Sequence, residues 1–184
     1  SGVFASAAAM DKAHMKSMLT AAGLPVGPYV VIRDVDWLRD QRGALARCEA
    51  LQLPIFVKPA SGGSSIGITK VDDLAHLHAA IEHARVHDRK VVVEQGIVGR
   101  EIECGVLERV DAVTGAVAEA SLPAEIRMLE PDAFYDFDSK YLDAVTEITV
   151  PANLAESTIK DVQGLPLEAF EALGCAAIAR VDFV

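Results

Sequence analysis

Cysteine is scarce: Cys48, Cys104 and Cys175 are widely spaced, odd in number and without a CxxC. That pattern implies neither a disulfide framework nor a zinc knuckle, and it suits a reducing cytosol. Blocks of Lys or Arg are missing too. Seventeen basic residues stand against 27 acidic ones, a net charge of −10, whereas phosphate-backbone recognition needs clustered cations. A nucleic-acid partner is therefore disfavoured. No apolar run approaches the ~20 residues that cross a bilayer. The alanine-rich Ser1–Met10 lacks the basic flank and cleavage context of a secretory signal. These absences together predict a soluble, cytoplasmic chain with no membrane partner.

What is present is an ordinary globular composition, 51% apolar and 24% charged over 184 residues. At roughly 100–200 residues per domain this makes one domain or two small ones. Met15, Met18, Leu19 and Ala22 recur at helical spacing, predicting a helix over 10–22 with Asp11 in its first turn. A second helix is expected over about 36–51, and a third on the face Leu74, Leu77, Ile81 and Ala84. A fourth is expected over 155–173, ended by Gly174. Strands are expected over 26–32, 55–58, 68–71, 91–94, 101–108 and 176–184, with a single further one over 117–127. In 101–108, Ile102, Cys104 and Val106 alternate inward against Glu101 and Glu103 outward. From 128 to about 150 the periodicity fails, and an aperiodic stretch of that length reads as functional.

Four constellations could carry chemistry. Lys58-Pro59 precedes Ser61-Gly62-Gly63-Ser64-Ser65-Ile66-Gly67, where glycines let successive N–H groups converge on a phosphate. A strand follows instead of a helix, so neither a Walker A loop nor a Rossmann turn fits, and a flexible surface hairpin is the competing reading. Glu94 ends an apolar strand beside exposed backbone, where it could accept from an adenine amino group or ribose hydroxyl, or be merely a solvated strand end. Arg180 and Asp182 share one face of the last strand. There they either pair with each other or divide between an anionic substrate and Mg²⁺. Lys140-Tyr141 is either ordinary loop or part of a closing lid. His83 and His87 have ligand-like spacing but hydrophilic neighbours, and read as a solvated face without zinc.

The order of these motifs resembles the D-alanine–D-alanine ligases. Met10-Asp11-Lys12, Gly23-Leu24-Pro25-Val26, Leu53 to Pro59 and Gly63-Ser64-Ser65-Ile66-Gly67 come first. Val93-Glu94, Gly99-Arg100-Glu101, Phe134-Tyr135-Asp136-Phe137, Lys140-Tyr141-Leu142, Val150-Pro151-Ala152 and Ala179-Arg180-Val181-Asp182 follow. The resemblance implies an α+β ATP-grasp fold, two subdomains whose antiparallel-rich sheets enclose the nucleotide. Residues 1–98 would form the central subdomain with the flap, and 99–184 part of the C-terminal subdomain with a lid at about 128–150. It implies ATP-dependent joining of two D-alanines through an acyl phosphate, for peptidoglycan, with Mg²⁺ or Mn²⁺ as cofactor. It also implies a homodimer for the full-length protein.

Carried over by position, Lys12, Lys58 and Lys140 would contact ATP phosphates, and Ser64 and Ser65 would sit in the flap. Glu94, the Gln95 backbone and Ile97 would line the adenine pocket, and Glu101 would take the ribose hydroxyls. Ser64, Tyr141 and Arg180 would serve catalysis: Tyr141 by docking the lid near Ser64, Arg180 by stabilising the tetrahedral intermediate. Asp182 would bind the metal. The family's substrate-binding N-terminal domain and its later metal ligands, a Glu and an Asn, have no counterpart in this sequence, so the isolated chain is expected to be inactive. Another ATP-grasp carboxylate–amine ligase and a catalytically incomplete nucleotide-binding fragment are the alternatives.

Overall fold

Val91, Val92 and Val93 are consecutive and all fully enclosed, which requires a strand covered on both faces. The computed structural model describes residues 1–111, 113, 115–128 and 146–184. In chain order these form α1 (Val3–Met10), α2 (Lys12–Ala21), β1 (Tyr29–Arg33), α3 (Asp34–Arg39), α4 (Gln41–Cys48), β2 (Ile55–Pro59) and β3 (Thr69–Val71). A 3-10 turn at Leu74–His76 leads into α5 (Leu77–Arg85). Then come β4 (Lys90–Gln95), β5 (Glu101–Asp111), β6 (Gly115–Ala120), β7 (Ala124–Met128), β8 (Thr146–Thr149), α6 (Glu156–Ala172) and β9 (Ile178–Phe183). Among the described residues no helix is long and apolar enough to cross a membrane. Two units result, one of Met10–His14 with Val26–Ile97, the other of Ser1–Ala9, Met15–Pro25 and Val98–Val184.

In the first unit the valine strand β4 is interior to a four-stranded antiparallel sheet, ordered β1-β4-β2-β3. Alternation then sorts the side chains. Ile55 and Val57 of β2 and Val91 and Val93 of β4 turn to one face, where Trp37, Leu77, Ile81 and Ala84 from the helices close the core. Val92 turns to the other face and packs with Ala13 and Ala60. Phe56 and Lys58, the alternate residues of β2, are only partly covered there. One face is thus spent on hydrophobic burial and the other is left for polar chemistry.

In the second unit β5 carries three partners: β6 and β7 end to end along one edge, β9 along the other, all antiparallel, with β8 beyond β7. Ile102, Cys104 and Val106 are buried as their alternation predicts, and α6 packs on β5 and β9.

Three expected elements divide. The helix over 10–22 begins at Lys12, because the Asp11 carboxylate accepts from the N–H groups of Ala13 (3.0 Å) and His14 (3.1 Å) and so caps it. An unforeseen α1, rich in alanine and without a wide apolar stripe, precedes it. The helix over 36–51 breaks at Asp40, whose side chain accepts from Gly43 N–H at 2.8 Å and starts α4 afresh. A Cβ on Gly43 would lie 2.2 Å from the Asp40 carboxylate, so glycine is what admits this cap. The strand over 117–127 breaks at Ser121–Pro123, since Pro123 has no N–H for the ladder.

Trp37 is the sole tryptophan and fully buried in the first unit, close in sequence to this cap. Replacing Asp40 by Ala should lower that unit's stability by about 0.5–2 kcal/mol, read as an earlier urea midpoint in tryptophan fluorescence. An unmoved midpoint would remove the cap from the account.

Candidate active site

On the polar face of the first sheet, Phe56 stands opposite Glu94 and Lys58 opposite Val92 in the β2–β4 register. Lys58 therefore meets Glu94 on the diagonal, and its Nζ donates to Glu94 Oε2 at 2.6 Å. Their side chains are only 23% and 13% exposed, so the pair is held away from most solvent screening. Lys58 Nζ also lies 5.7 Å from the centre of the Phe56 ring, within cation–π range.

Lys12, at the start of α2, reaches the same neighbourhood. Its backbone N–H donates to Ala60 O at 2.9 Å, and its Nζ donates to Gly62 O at 3.0 Å. Burial, and next the charge of Lys58, push the Lys12 ammonium below the ordinary lysine range, with Glu94 opposing the shift. Lys12 and Lys58 thus repel one another at the root of the 60–67 segment, and the charges of Glu94, Asp88 and Asp11 offset that repulsion.

That segment is a connection between β2 and β3 with unusual backbone. Ser64 and Ser65 are both left-handed (φ 54° and 58°), and Gly62 and Gly67 also have positive φ (117° and 72°). Non-glycine residues rarely take this conformation. Two in succession, framed by glycines, turn backbone groups in directions that helix and strand do not offer. At Gly67 a Cβ would come 2.5 Å from the His87 ring, so only glycine lets the segment return against α5's end.

Gln95 donates its backbone N–H to Pro28 O at 3.0 Å. Its side-chain Oε1 accepts from Gln52 N–H at 3.0 Å. Ile97 is half exposed and its Cδ1 sits over Gly27, where any Cβ would approach to 2.8 Å.

In the second unit, Arg180 and Asp182 occupy the open face of β9. The strand alternates, with Ala179, Val181 and Phe183 more covered and Ile178, Arg180 and Asp182 exposed. Both side chains are open to solvent, 60% and 63% exposed. They do pair. Arg180 Nε donates to Asp182 Oδ1 at 2.8 Å and Nη2 to Oδ2 at 3.2 Å.

Glu101 and Glu103 share this face from β5. It opens into a cavity of about 640 Å³ that Gly105, Ser121, Leu122, Val150, Ile178 and Arg180 help to line. Glu125 points to the opposite face and is almost fully buried, gripped by Arg100 Nε at 2.7 Å and Nη2 at 2.6 Å, with Arg127 Nε at 3.2 Å. This two-pronged bond ties the start of β5 to β7.

The structure thus gathers Lys12, Lys58 and Glu94 at the root of the Ser64–Ser65 segment, with Gln95 and Ile97 next in the chain, all in the first unit. Glu101, Arg180 and Asp182 lie together on one sheet face of the second. Lys140, Tyr141 and most of the expected lid at about 128–150 lie outside the described residues. Sequence reasoning missed two contributors. Gly27 is the floor beneath Ile97, and its only signal was the Pro25-Val26-Gly27-Pro28 run. Glu103 was seen as outward-facing, but its contact with Arg180 is invisible until β5 and β9 are in register. Among the described residues no three His, Cys, Asp or Glu side chains converge to hold a metal. Asp182 alone suits a cation that also takes phosphate oxygens, since Mg²⁺ commonly uses one or two carboxylates plus phosphates.

Two α+β units with antiparallel sheets, one bearing a glycine- and serine-rich connection over a lysine–glutamate pair, are the ATP-grasp fold. The chain aligns over residues 18–184 with the family model described as D-ala D-ala ligase C-terminus. The D-alanine–D-alanine ligase of Frankia casuarinae is 57% identical over 182 residues, covering 99% of this chain and 45% of that protein. The corresponding ligase of Rhodococcus jostii is 55% identical over 187 residues, covering 99% and 48%. Among solved structures, the VanG D-Ala:D-Ser ligase of Enterococcus faecalis superposes with a TM-score of 0.79 at 33% identity, covering 97% of this chain and 49% of that one. The D-alanine–D-alanine ligase of Coxiella burnetii gives 0.77 at 31% identity, covering 99% and 45%. The chain belongs to the D-alanine–D-alanine ligase family, and it spans about half the length of the relatives it matches.

The Glu125 carboxyl gives a pH prediction. Arg100, and after it Arg127, outweigh burial and hold it at about 2 instead of the ordinary 4.5. A depressed carboxyl stabilises the fold fully above its unfolded value and loses that contribution as pH falls through its folded one. The Glu125→Gln variant should therefore be less stable than wild type above pH 4.5, with the gap closing as pH falls to about 2. Amide exchange at Ile102 and Cys104 over that range measures the gap; a gap that ignores pH would refute the assignment.

Proposed function

We propose that this chain is the nucleotide-binding part, with a portion of the catalytic part, of a cytoplasmic, homodimeric ATP-dependent D-alanine–D-alanine ligase. The observation that carries the reading is the Lys58–Glu94 pair with Lys12 beside it at the root of the Ser64–Ser65 segment. Two ammonium groups and a run of turned backbone are what a triphosphate needs. Phosphoryl transfer asks for positioning and charge neutralisation more than for a nucleophilic side chain.

The reaction has two steps. The carboxylate of the first D-alanine attacks the γ-phosphorus of ATP, the bond to ADP breaks, and an acyl phosphate forms. The amine of the second D-alanine then attacks the acyl carbon, the amine loses a proton, and phosphate leaves with the electron pair. Lys12 and Lys58 bind the phosphates, with Lys58 kept extended by Glu94. Glu94 also faces the adenine amino group, the Gln95 backbone and Ile97 complete the base pocket, and Glu101 takes the ribose hydroxyls. Ser64 and Ser65 close over the phosphates. By family position Lys140 would add a third cation and Tyr141 would serve catalysis together with Ser64.

Arg180 holds the oxyanion that develops when the amine attacks. Its guanidinium, exposed on the strand face beside Asp182, presents a planar fork of donors to such a charge. Asp182 would hold Mg²⁺, or Mn²⁺ in its place; when bound, the cation neutralises phosphate charge. The Lys-Tyr pair at 140 and 141 favours an amine over a hydroxyl as second nucleophile, hence dipeptide over depsipeptide.

The Lys58→Ala variant should bind ATP about 10–100-fold more weakly, the loss of roughly 1.5–3 kcal/mol for a charge-assisted bond. Titration of a fluorescent ATP analogue measures this, and unchanged affinity would remove Lys58 from the phosphate site. In the complete ligase polypeptide, ADP release should require D-alanine and should not be supported by D-lactate as the second substrate. Release that ignores D-alanine would favour another carboxylate–amine ligase.

A further inference from the structure

Glu103 has no part in the roles just assigned, yet its placement is odd. In the β5–β9 register it stands directly opposite Asp182, carboxylate facing carboxylate, an arrangement that repels across a strand pair. It is also more enclosed than Asp182, 20% exposed against 63%. Its Oε2 is buried and accepts no hydrogen bond among the described residues. That same atom lies 3.2 Å from Arg180 Nη1, within ion-pair distance but off the hydrogen-bond line.

The position opposite Arg180 is Gly105, which presents no side chain to block the guanidinium's path across β5. Arg180 therefore lies between two carboxylates. Its Nε and Nη2 serve Asp182 in full hydrogen bonds, and its Nη1 faces an acceptor that is unsatisfied. A guanidinium carries donors in a rigid planar fork, so it can pass from one acid to the other by a small rotation.

We propose that Glu103 is a positioning residue for Arg180: it is the anchor that keeps the guanidinium over the open face of β5 and β9 once Asp182 is engaged elsewhere. The inference rests on the functional reading above, in which Asp182 turns to a metal ion and Arg180 to the developing oxyanion. Of these two acids, the one that remains with Arg180 is then the buried one, and it gains the hydrogen bond it lacks among the described residues. Glu103 thus sets the direction of Arg180 without touching substrate.

Two readouts on the same variants test this. In the arginine side-chain NMR spectrum of the chain, the Asp182→Asn variant should keep slowed rotation of the Arg180 guanidinium. Adding Glu103→Gln should release it. Release in Asp182→Asn alone, or retention in the double variant, overturns the proposal. In the complete ligase, Glu103→Gln should lower kcat on the order of 10-fold or more while leaving the KM for ATP nearly unchanged, and Glu103→Asp should recover part of the loss. Unchanged kcat in Glu103→Gln overturns it as well. A wild-type enzyme that releases no ADP with D-alanine refutes the functional reading instead, and the side-chain signals still decide what anchors Arg180.

Discussion

Each sheet has one face committed to helices, and that commitment decides where every charge of the candidate site can stand. In the first unit Ile55, Val57, Val91 and Val93 must go under the helices, since each is completely buried. With a strand period of two, Lys58 and Glu94 have no choice but the other side. In the second unit Ile102, Cys104 and Val106 are buried against the side α6 covers, which sends Glu101, Glu103, Arg180 and Asp182 to the open face. A one-residue slip of β2 against β4 would exchange the faces of the first sheet and destroy its cluster, and a slip of β9 against β5 would do the same in the second. Hydrophobic burial therefore fixes the geometry of the candidate site more firmly than any contact among the polar residues themselves.

The two clusters use charge differently. Lys58 and Glu94 are mostly enclosed and Lys12 is partly desolvated, so their mutual energies are less screened and their positions more tightly set. Arg180 and Asp182 are mostly exposed, and a pair of that kind is worth roughly 0–1 kcal/mol. Under the function proposed above, a strong arrangement suits groups that wait in place for a triphosphate, and a weak one suits a guanidinium that changes partner during the reaction.

Local patterns were legible in the sequence where the physics is local. The alternation of Ile102, Cys104 and Val106 fixed the buried face of β5, and the Leu77, Ile81 and Ala84 spacing fixed that of α5. The division of 36–51 was legible in principle, because Asp40 is an N-cap residue type inside an otherwise helical run. The alanine-rich α1 escaped because small residues give almost no periodic contrast. Pairings between distant strands were not legible at all: Lys58 with Glu94, Arg100 with Glu125 and Arg180 with Glu103 depend on register, which single-strand patterns do not contain. Family resemblance named Lys58, Glu94 and Arg180 individually. It could not show that each cation already has an acid beside it.

Those acids bear on how a site rich in cations coexists with a chain of net charge −10. An unpaired ammonium or guanidinium awaiting substrate would repel its neighbours, as Lys12 and Lys58 do. Placing Glu94 against Lys58 and Asp182 against Arg180 removes that repulsion and holds each cation outstretched. The cost comes on ligand arrival, when the acid must find a new partner or be left bare. Glu94, at a strand end beside the 96–100 connection, can turn to a donor on a base. In the proposed reaction Asp182 turns to a divalent cation, which would make an acid two residues from Arg180 useful on an exposed strand face. Glu103 differs from both, because it is enclosed and has nothing mobile to receive. Among the described residues the donor that faces its buried oxygen is Arg180, so the pairing proposed for it is internal to the protein and outlasts the exchange proposed for the other two acids.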